Sequence, residues 1–273
     1  MRDHVHEPVV VRSAGELAMP TTRRNFLRAL SAGASIVLLP SVFGACNDDD
    51  DLVGPGGLPF GALVFDLRTD VGIFRLTHMQ EIIESTFYSA VLTHNAFTTF
   101  FTADEREVFT DIRNAEMVHR RFLDEALGEQ RVPDFSGQLN QTVLAQWLVS
   151  RDSIVTTARM LEHTGLATLN GAGKYIKDAR NLLASGKFAS VEARHAAALR
   201  DFAPPAGANA GTAFAGDDVV DSSGRDVKIE ATVTLARIQQ TNIIAQDLND
   251  SIGLVPPDAS QGSPTPDFFP ANP

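Results

Sequence analysis

Two places in the chain set a carboxylate three residues ahead of an imidazole: Glu116-Met117-Val118-His119 and Glu192-Ala193-Arg194-His195. On an α-helix, residues three apart share a face, so each pair can aim one oxygen and one nitrogen at a common point. Two such pairs on two helices, with one Glu from each of two further helices, are the parts of a di-iron or di-manganese carboxylate site in a four-helix bundle. With 12 Glu and 7 His in 273 residues, random placement gives roughly 0.3 such pairs, so a motif this short needs support from its surroundings.

The surroundings supply it. Upstream of the first pair, THMQEIIESTFYSAVLTH carries Glu81 and Glu84. Upstream of the second, TTARMLEHTGLATLNGAG carries Glu162. Each half reads as a helix with a lone Glu followed by a helix with Glu-x-x-His, an internal repeat of about eighty residues. Glu105, Glu107, Glu125 and Glu129 are read as solvated, since Glu is a good helix former. Glu116 and Glu192 instead fall among Ile112 and Leu123, and among Ala193, Ala196, Ala197 and Leu199, on faces that should pack. A buried carboxylate without a partner protonates or costs several kcal/mol, and four together repel. Two divalent cations balance four Glu charges, and two neutral His complete the shell.

The elements that must position these groups follow from pattern and caps. Helix 1 starts with Thr69 or Asp70 as its cap, with Ile73, Leu76, Ile83, Phe87 and Leu92 at rough helical spacing. Helix 2 opens on the capping box Thr102-Ala103-Asp104-Glu105 and closes near Gly128. Helix 3 is expected from about Thr142 to Asn170-Gly171. Helix 4 is expected from about Lys174 to Phe202, weakened or bent at Gly186 and stopped by Pro204-Pro205. A loop from Ala203 to about Asp226 precedes a fifth helical stretch, from Val227 to about Leu248. The tail, 256–273, holds six of the fourteen prolines and is expected to be irregular. The fold class is therefore all-α: a four-helix bundle over 69–204, a loop and additional C-terminal helix over 205–255, and an irregular tail.

Residues 1–45 read as an export leader. Thr22-Arg23-Arg24-Asn25-Phe26-Leu27-Arg28 has the spacing of a twin-arginine signal, followed by an apolar stretch too short and mixed to span a membrane. Met19 is expected to be the true start. Cys46, the only cysteine, stands where a lipoprotein signal would be cut and the new N-terminus acylated; cleavage after Gly44 is the competing reading. No internal disulfide is possible. Residues 46–68, with Asp48–Asp51 and Gly/Pro-rich 54–57, are expected to form a flexible tether. The chain's net charge is −11, and residues 1–45 hold five Arg against three acids, which leaves −13 on the rest. That balance argues against nucleic acid or anionic surfaces as partners. The expected location is extracytoplasmic, in the periplasm or cell envelope, with the membrane reached through the lipid. A homo-oligomer is admitted; other protein partners are not specified by the sequence.

The remaining histidines are assigned lesser roles. His163 follows Glu162 and points about a hundred degrees away on the helix, as a surface or interface residue. His78 is read either as orienting Glu81 or as simply packed. His94, His4 and His6 have no supporting pattern. There is no Gly-x-x-x-x-Gly-Lys loop and no Gly-x-Ser-x-Gly elbow.

The pieces EIIESTFYSAVL, AEMVHRRFL, LEHTGLATLNGAG and VEARHAAALR resemble the ferritin-like superfamily, specifically the exported bacterial ferritin-like domain proteins related to plant desiccation-associated proteins. The resemblance covers about residues 70–202. It implies two Fe or Mn ions, with Glu116 and Glu192 bridging, Glu81 and Glu162 terminal, and His119 and His195 on one metal each. In such sites the first-helix ligand lies seven residues before a Tyr. That spacing selects Glu81, through Tyr88, and leaves Glu84 as a supporting or substitute carboxylate; Leu169 takes the corresponding place after Glu162. The implied activity is an oxidase, peroxidase or ferroxidase-type oxidoreductase. The alternative is a non-catalytic scaffold or envelope stress protein of the desiccation-related kind.

Overall fold

The computed structural model describes residues 63–205, 207, 213–226 and 229–258, with the side chain of residue 202 excepted. These fall in one compact unit. Its described elements are β1 (Leu63–Asp66), α1 (Asp70–Thr93), α2 (Phe97–Phe100), α3 (Ala103–Leu127), α4 (Gln141–Leu148), α5 (Arg151–Ala172), α6 (Ala179–Phe202), α7 (Ala231–Gln240), α8 (Gln246–Asn249) and β2 (Ile252–Val255). The long helices α1, α3, α5 and α6 form the bundle: α1 packs chiefly on α3, and α5 on α6. The two halves of the sequence repeat are thus two helical hairpins. No described helix is long and apolar enough to cross a membrane.

Caps set the helix starts. The Thr69 hydroxyl accepts from the Gly72 N–H at 3.0 Å. Thr102 and Glu105 form the expected reciprocal box, with Thr102 N–H to Glu105 Oε2 at 2.8 Å and Glu105 N–H to the Thr102 hydroxyl at 3.3 Å. On α3 the buried residues are Phe109, Ile112, Glu116, His119, Leu123 and Leu127, one stripe at steps of three and four. The carboxylate and the imidazole therefore occupy places in an apolar stripe. Helix α1 is buried on most of its surface, as befits an element enclosed by neighbours on several sides.

Several boundaries differ from expectation. The single helix expected from Thr142 is two, because Ser150 adopts an extended conformation and caps α5 by accepting from the Ser153 N–H at 3.1 Å. Helix α6 begins at Ala179, not Lys174. Asp70 of α1 accepts from the N–H groups of Lys177 and Asp178 at 2.8 and 3.0 Å and from the Asn181 amide at 2.8 Å, holding the preceding segment out of the helix. Gly186 does not interrupt α6; it is exposed and the helix runs through it. The expected fifth helix divides into α7 and α8. Between them Asn242 has φ 56°, and Ile244 makes an antiparallel bridge with Leu139.

The tether expected over 46–68 ends sooner than its composition suggests. Leu63–Asp66 pairs in parallel with Ile252–Val255, Leu63 opposite Ile252 and Asp66 opposite Val255. Phe65 and Leu67 are fully buried. At the turn into α1, a Cβ on Gly72 would stand 1.9 Å from the Asp66 carbonyl oxygen, so only glycine permits the strand to lie against the helix start. Beyond α6, Arg200 is buried and ties the following segment back: its Nε donates to the Ala213 carbonyl and its Nη2 to Asp218, each at 2.6 Å. Residues 256–258 are in neither helix nor strand. The leader, Cys46, His4, His6 and the rest of the tail lie outside the described residues.

Candidate metal centre

The four long helices each deliver a carboxylate to the bundle interior: Glu81 from α1, Glu116 from α3, Glu162 from α5 and Glu192 from α6. All four are 0–2% exposed. His119 and His195, one turn after Glu116 and Glu192, bring their Nδ1 atoms to the same place. The six side chains form two overlapping groups of four. Glu81, Glu116, His119 and Glu192 make one; Glu116, Glu162, Glu192 and His195 make the other; within each group, ligand atoms lie within 4.8 Å of one another.

Glu116 and Glu192 belong to both groups. Glu116 turns Oε2 toward His119, 3.1 Å away, and Oε1 toward His195, 2.7 Å away. Around His119 Nδ1 stand Glu116 Oε2, Glu192 Oε1 at 3.2 Å and Glu81 Oε2 at 3.6 Å. Around His195 Nδ1 stand Glu116 Oε1 and Glu162 Oε2 at 3.1 Å. One imidazole N–H cannot serve three carboxylates. Indeed Glu81 Oε2, Glu116 Oε1 and both Glu192 oxygens lack a hydrogen-bond partner. Ligands held about 2.1 Å from an octahedral ion stand about 3 Å from each other, which is the spacing found. Convergent, buried, unsatisfied oxygens with two imidazole nitrogens are a donor set that could hold metal ions, and the residues fit that use.

Electrostatics point the same way. Burial raises the Glu81 pKa to about 8, an effect the His119 imidazole only partly offsets. Burial and then Glu116 and Glu162 push Glu192 well above the carboxylate range. Glu162 is raised by burial and by Glu116, against the lowering effects of His195 and Tyr88. Glu116 alone goes down: burial opposes its charge, but the facing imidazoles of His119 and His195 prevail. Burial disfavours charge on both imidazoles, yet the facing carboxylates hold their pKa values well above the usual value. Burial and mutual repulsion thus favour the protonated forms of Glu81, Glu162 and Glu192, whereas Glu116 favours its charged form.

Tyr88 and Glu84 complete the surroundings. The Tyr88 hydroxyl donates to Glu162 Oε1 at 2.5 Å, so the tyrosine of the first half holds the carboxylate that α5 brings from the second. The ring packs against Phe87 and Phe109, with centroids 5.1 and 6.1 Å away. Glu84 is as buried as Glu81 but belongs to neither ligand group. Burial, then Glu192, raises its pKa well above the ordinary value. Over His119 lies Phe188, centroid to centroid 4.7 Å, which shields that imidazole from solvent.

The other histidines stand apart. His78 does not orient Glu81: its Nδ1 accepts from the Val132 N–H at 3.2 Å and its Nε2 stands 3.1 Å from Asp124. His163 is half-buried and outside both ligand groups, and burial lowers its pKa. His94 stacks on Phe100 and accepts from the Ala96 N–H.

One contributor escapes a search for ligand residues. Gly165 lies three residues after Glu162, on the same face of α5. A Cβ there would stand 3.1 Å from Glu192 Oε2 and 3.3 Å from Glu84 Oε1. The helix tolerates a residue costing about 1 kcal/mol relative to Ala, and two carboxylates gain the room. The signal in the sequence was a glycine inside a helix at ligand spacing.

The family model described as "Ferritin-like domain" matches residues 69–204. No curated protein and no solved structure matches the chain.

Proposed function

Starting from residues 69–204 as a ferritin-like domain, we propose that the chain holds a dinuclear Fe or Mn carboxylate centre and is an oxidoreductase of the oxidase, peroxidase or ferroxidase type. The single observation that supports this reading most is the sharing of Glu116 and Glu192 between two four-ligand groups. Two carboxylates common to both positions are what two adjacent cations require. They leave Glu81 with His119, and Glu162 with His195, as the separate ligands of each.

Bound Fe or Mn would supply one-electron steps toward dioxygen, peroxide or a further Fe(II). The chain's own residues define where such chemistry happens. Glu116 is charged in the metal-free state and offers one oxygen to each position. Tyr88 fixes the rotamer of Glu162 through its O–H. Phe87 and Phe109 back Tyr88, Phe188 lies against His119, and the four carboxylates are buried, which strengthens each electrostatic contact among them. Glu81, Glu162, Glu192 and the two imidazoles, whose pKa values are all raised, would hold such ions in competition with protons.

In the same reading the domain works outside the cytoplasm. The twin-arginine pattern at Arg23-Arg24 and the placement of Cys46 favour export and lipid attachment, and the acidic balance of the remainder suits an envelope protein with no nucleic-acid partner.

Elemental analysis of protein purified from its own host tests the central claim. About two Fe or Mn per chain, lost on chelation together with thermal stability, is the expected result. Absence of metal, with a melting temperature indifferent to chelator, would favour the non-catalytic scaffold instead.

A further inference from the structure

Where α1, α4, α5 and α7 meet, a cavity of about 20 Å³ is lined by Gln80, Ile83, Glu84, Thr164, Arg237 and Thr241, with apolar side chains making up the remainder. A space of about 10–15 Å³ admits one water, so this one takes a single molecule of one or two heavy atoms. Its lining runs from the surface inward: Arg237 is exposed and Thr241 half-buried, whereas Gln80 is 4% and Glu84 2% exposed. Glu84 in turn borders the ligand cluster, because Glu84 Oε1 and Glu192 Oε2 flank the same point over Gly165.

The polar groups here are incompletely paired. Gln80 and Glu84 are four apart on one face of α1. The Gln80 amide N–H donates to the Thr168 hydroxyl at 3.4 Å. Thr168 donates to the Thr164 carbonyl at 2.6 Å, so its contact with Thr234, 2.7 Å, has Thr234 as donor. Gln80 Oε1 has no hydrogen-bond partner. A buried amide oxygen facing no donor needs one, and protein groups do not supply it. Apolar walls disfavour a hydrated ion of either sign, and the cationic Arg237 at the outer end adds to this for a cation.

We propose that this cavity binds one small neutral O–H molecule, water or hydrogen peroxide, between Gln80 and Glu84, and that it is the route by which such molecules reach the ligand cluster. The binding position stands on the cavity and the orphaned amide alone. The route rests on the dinuclear reading above.

A crystal structure of the metal-free protein decides the binding position. Density for one ordered oxygen within hydrogen-bond distance of Gln80 Oε1 is expected, and its loss in Gln80→Leu; an empty cavity in the parent overturns the proposal. Soaking in hydrogen peroxide separates the two sources. Elongation of that density to two atoms shows that peroxide enters, and an unchanged single oxygen restricts the site to water.

Stopped-flow mixing of Fe(II)-loaded protein with hydrogen peroxide decides the route. Each peroxide takes two electrons from two Fe(II) and two protons, and leaves as two waters. Ile83→Phe and, from the facing helix, Thr164→Ile both fill the cavity, and either variant suffices if the other fails to fold. A tenfold or greater slowing with unchanged Fe stoichiometry is expected. An unchanged rate with the cavity shown to be filled overturns the route. A chain that takes up no Fe overturns the route together with the dinuclear reading, while the density still decides the binding position.

Discussion

Tyr88 and Glu162 lie 74 positions apart, and the phenol of one donates a hydrogen bond to the carboxylate of the other in the bundle interior. The corresponding carboxylate of the first hairpin is less well served. Glu81 Oε2 has no hydrogen-bond partner, and the position seven after Glu162 is Leu169, which brings no hydroxyl. The two halves of the cluster are therefore unequal. Titration with Mn(II) or Fe(II) is expected to resolve two steps, the tighter at Glu162 and His195. Tyr88→Phe should weaken that step by about 10–100-fold and cost the metal-free protein about 1–3 kcal/mol. Two equal steps in the parent, or no change in the variant, would remove the asymmetry.

Shared and separate ligands should differ in what their loss does. Glu116→Ala and Glu192→Ala are each expected to abolish binding of both ions, whereas Glu81→Ala and Glu162→Ala should spare about one. In the absence of metal, Glu116→Ala takes from two buried imidazoles the one carboxylate that faces both and should cost about 3–5 kcal/mol. Glu192→Gln removes a carboxylate with both oxygens unpaired and should be close to neutral. Elemental analysis and chemical denaturation of the five variants check this. Unchanged metal content in Glu116→Ala and Glu192→Ala would make the ligand assignment wrong.

Stability should respond to pH in opposite directions with and without metal. Glu81 titrates near 8 in the fold against 4.5 as an ordinary carboxylate, and Glu162, Glu192, His119 and His195 are raised as well. Between those limits the metal-free fold binds more protons than the unfolded chain, so its stability falls as pH rises from about 5 to 8. Glu116, depressed in the fold, acts the other way, but its stabilisation is lost only as pH drops below 4.5. Metal competes with the same protons, so affinity rises over the window in which metal-free stability falls. Melting curves at pH 5, 6, 7 and 8, with and without chelator, should diverge as pH increases. Parallel curves would contradict the linkage.

Gly165 should separate helix stability from site function. Alanine gains up to about 1 kcal/mol in helix propensity, while its methyl crowds Glu84 and Glu192 at 3.3 and 3.1 Å. Gly165→Ala is expected to fold with stability within about 1 kcal/mol of the parent, and to bind metal more weakly. Gly165→Val should bind none. A Gly165→Val protein with full metal content would show that the carboxylates do not need that space.

Export is expected to depend on Arg23 and Arg24, and anchoring on Cys46. Replacing both arginines by lysine should leave precursor in the cytoplasm. Cys46→Ser should release mature protein from membranes or leave the precursor uncut. Normal processing and unchanged fractionation of Cys46→Ser would instead place cleavage after Gly44.

Much of the fold and nearly all of the convergence were legible in the residues. The Thr69 and Thr102 caps, the steps of three and four along α3, and the Glu-x-x-His spacing are local signals, and local backbone geometry turns each directly into a face of a helix. Repetition then placed Glu81 and Glu162 beside the two pairs. What the tertiary structure alone decided are the relations between segments distant in sequence. The break at Ser150 and the late start of α6 depend on hydrogen bonds at Ser153 and Asp70 that compete with helix continuation. Leu63–Asp66 becomes a strand because Ile252–Val255 is there to pair with it, and a four-residue strand has no stability of its own. Both Glu81 and Glu84 are buried three residues apart on one helix, so helical spacing could not choose between them. The tertiary structure sets them apart: the imidazole of α3 comes near Glu81, and Gly165 of α5 leaves Glu84 room outside both groups of converging side chains.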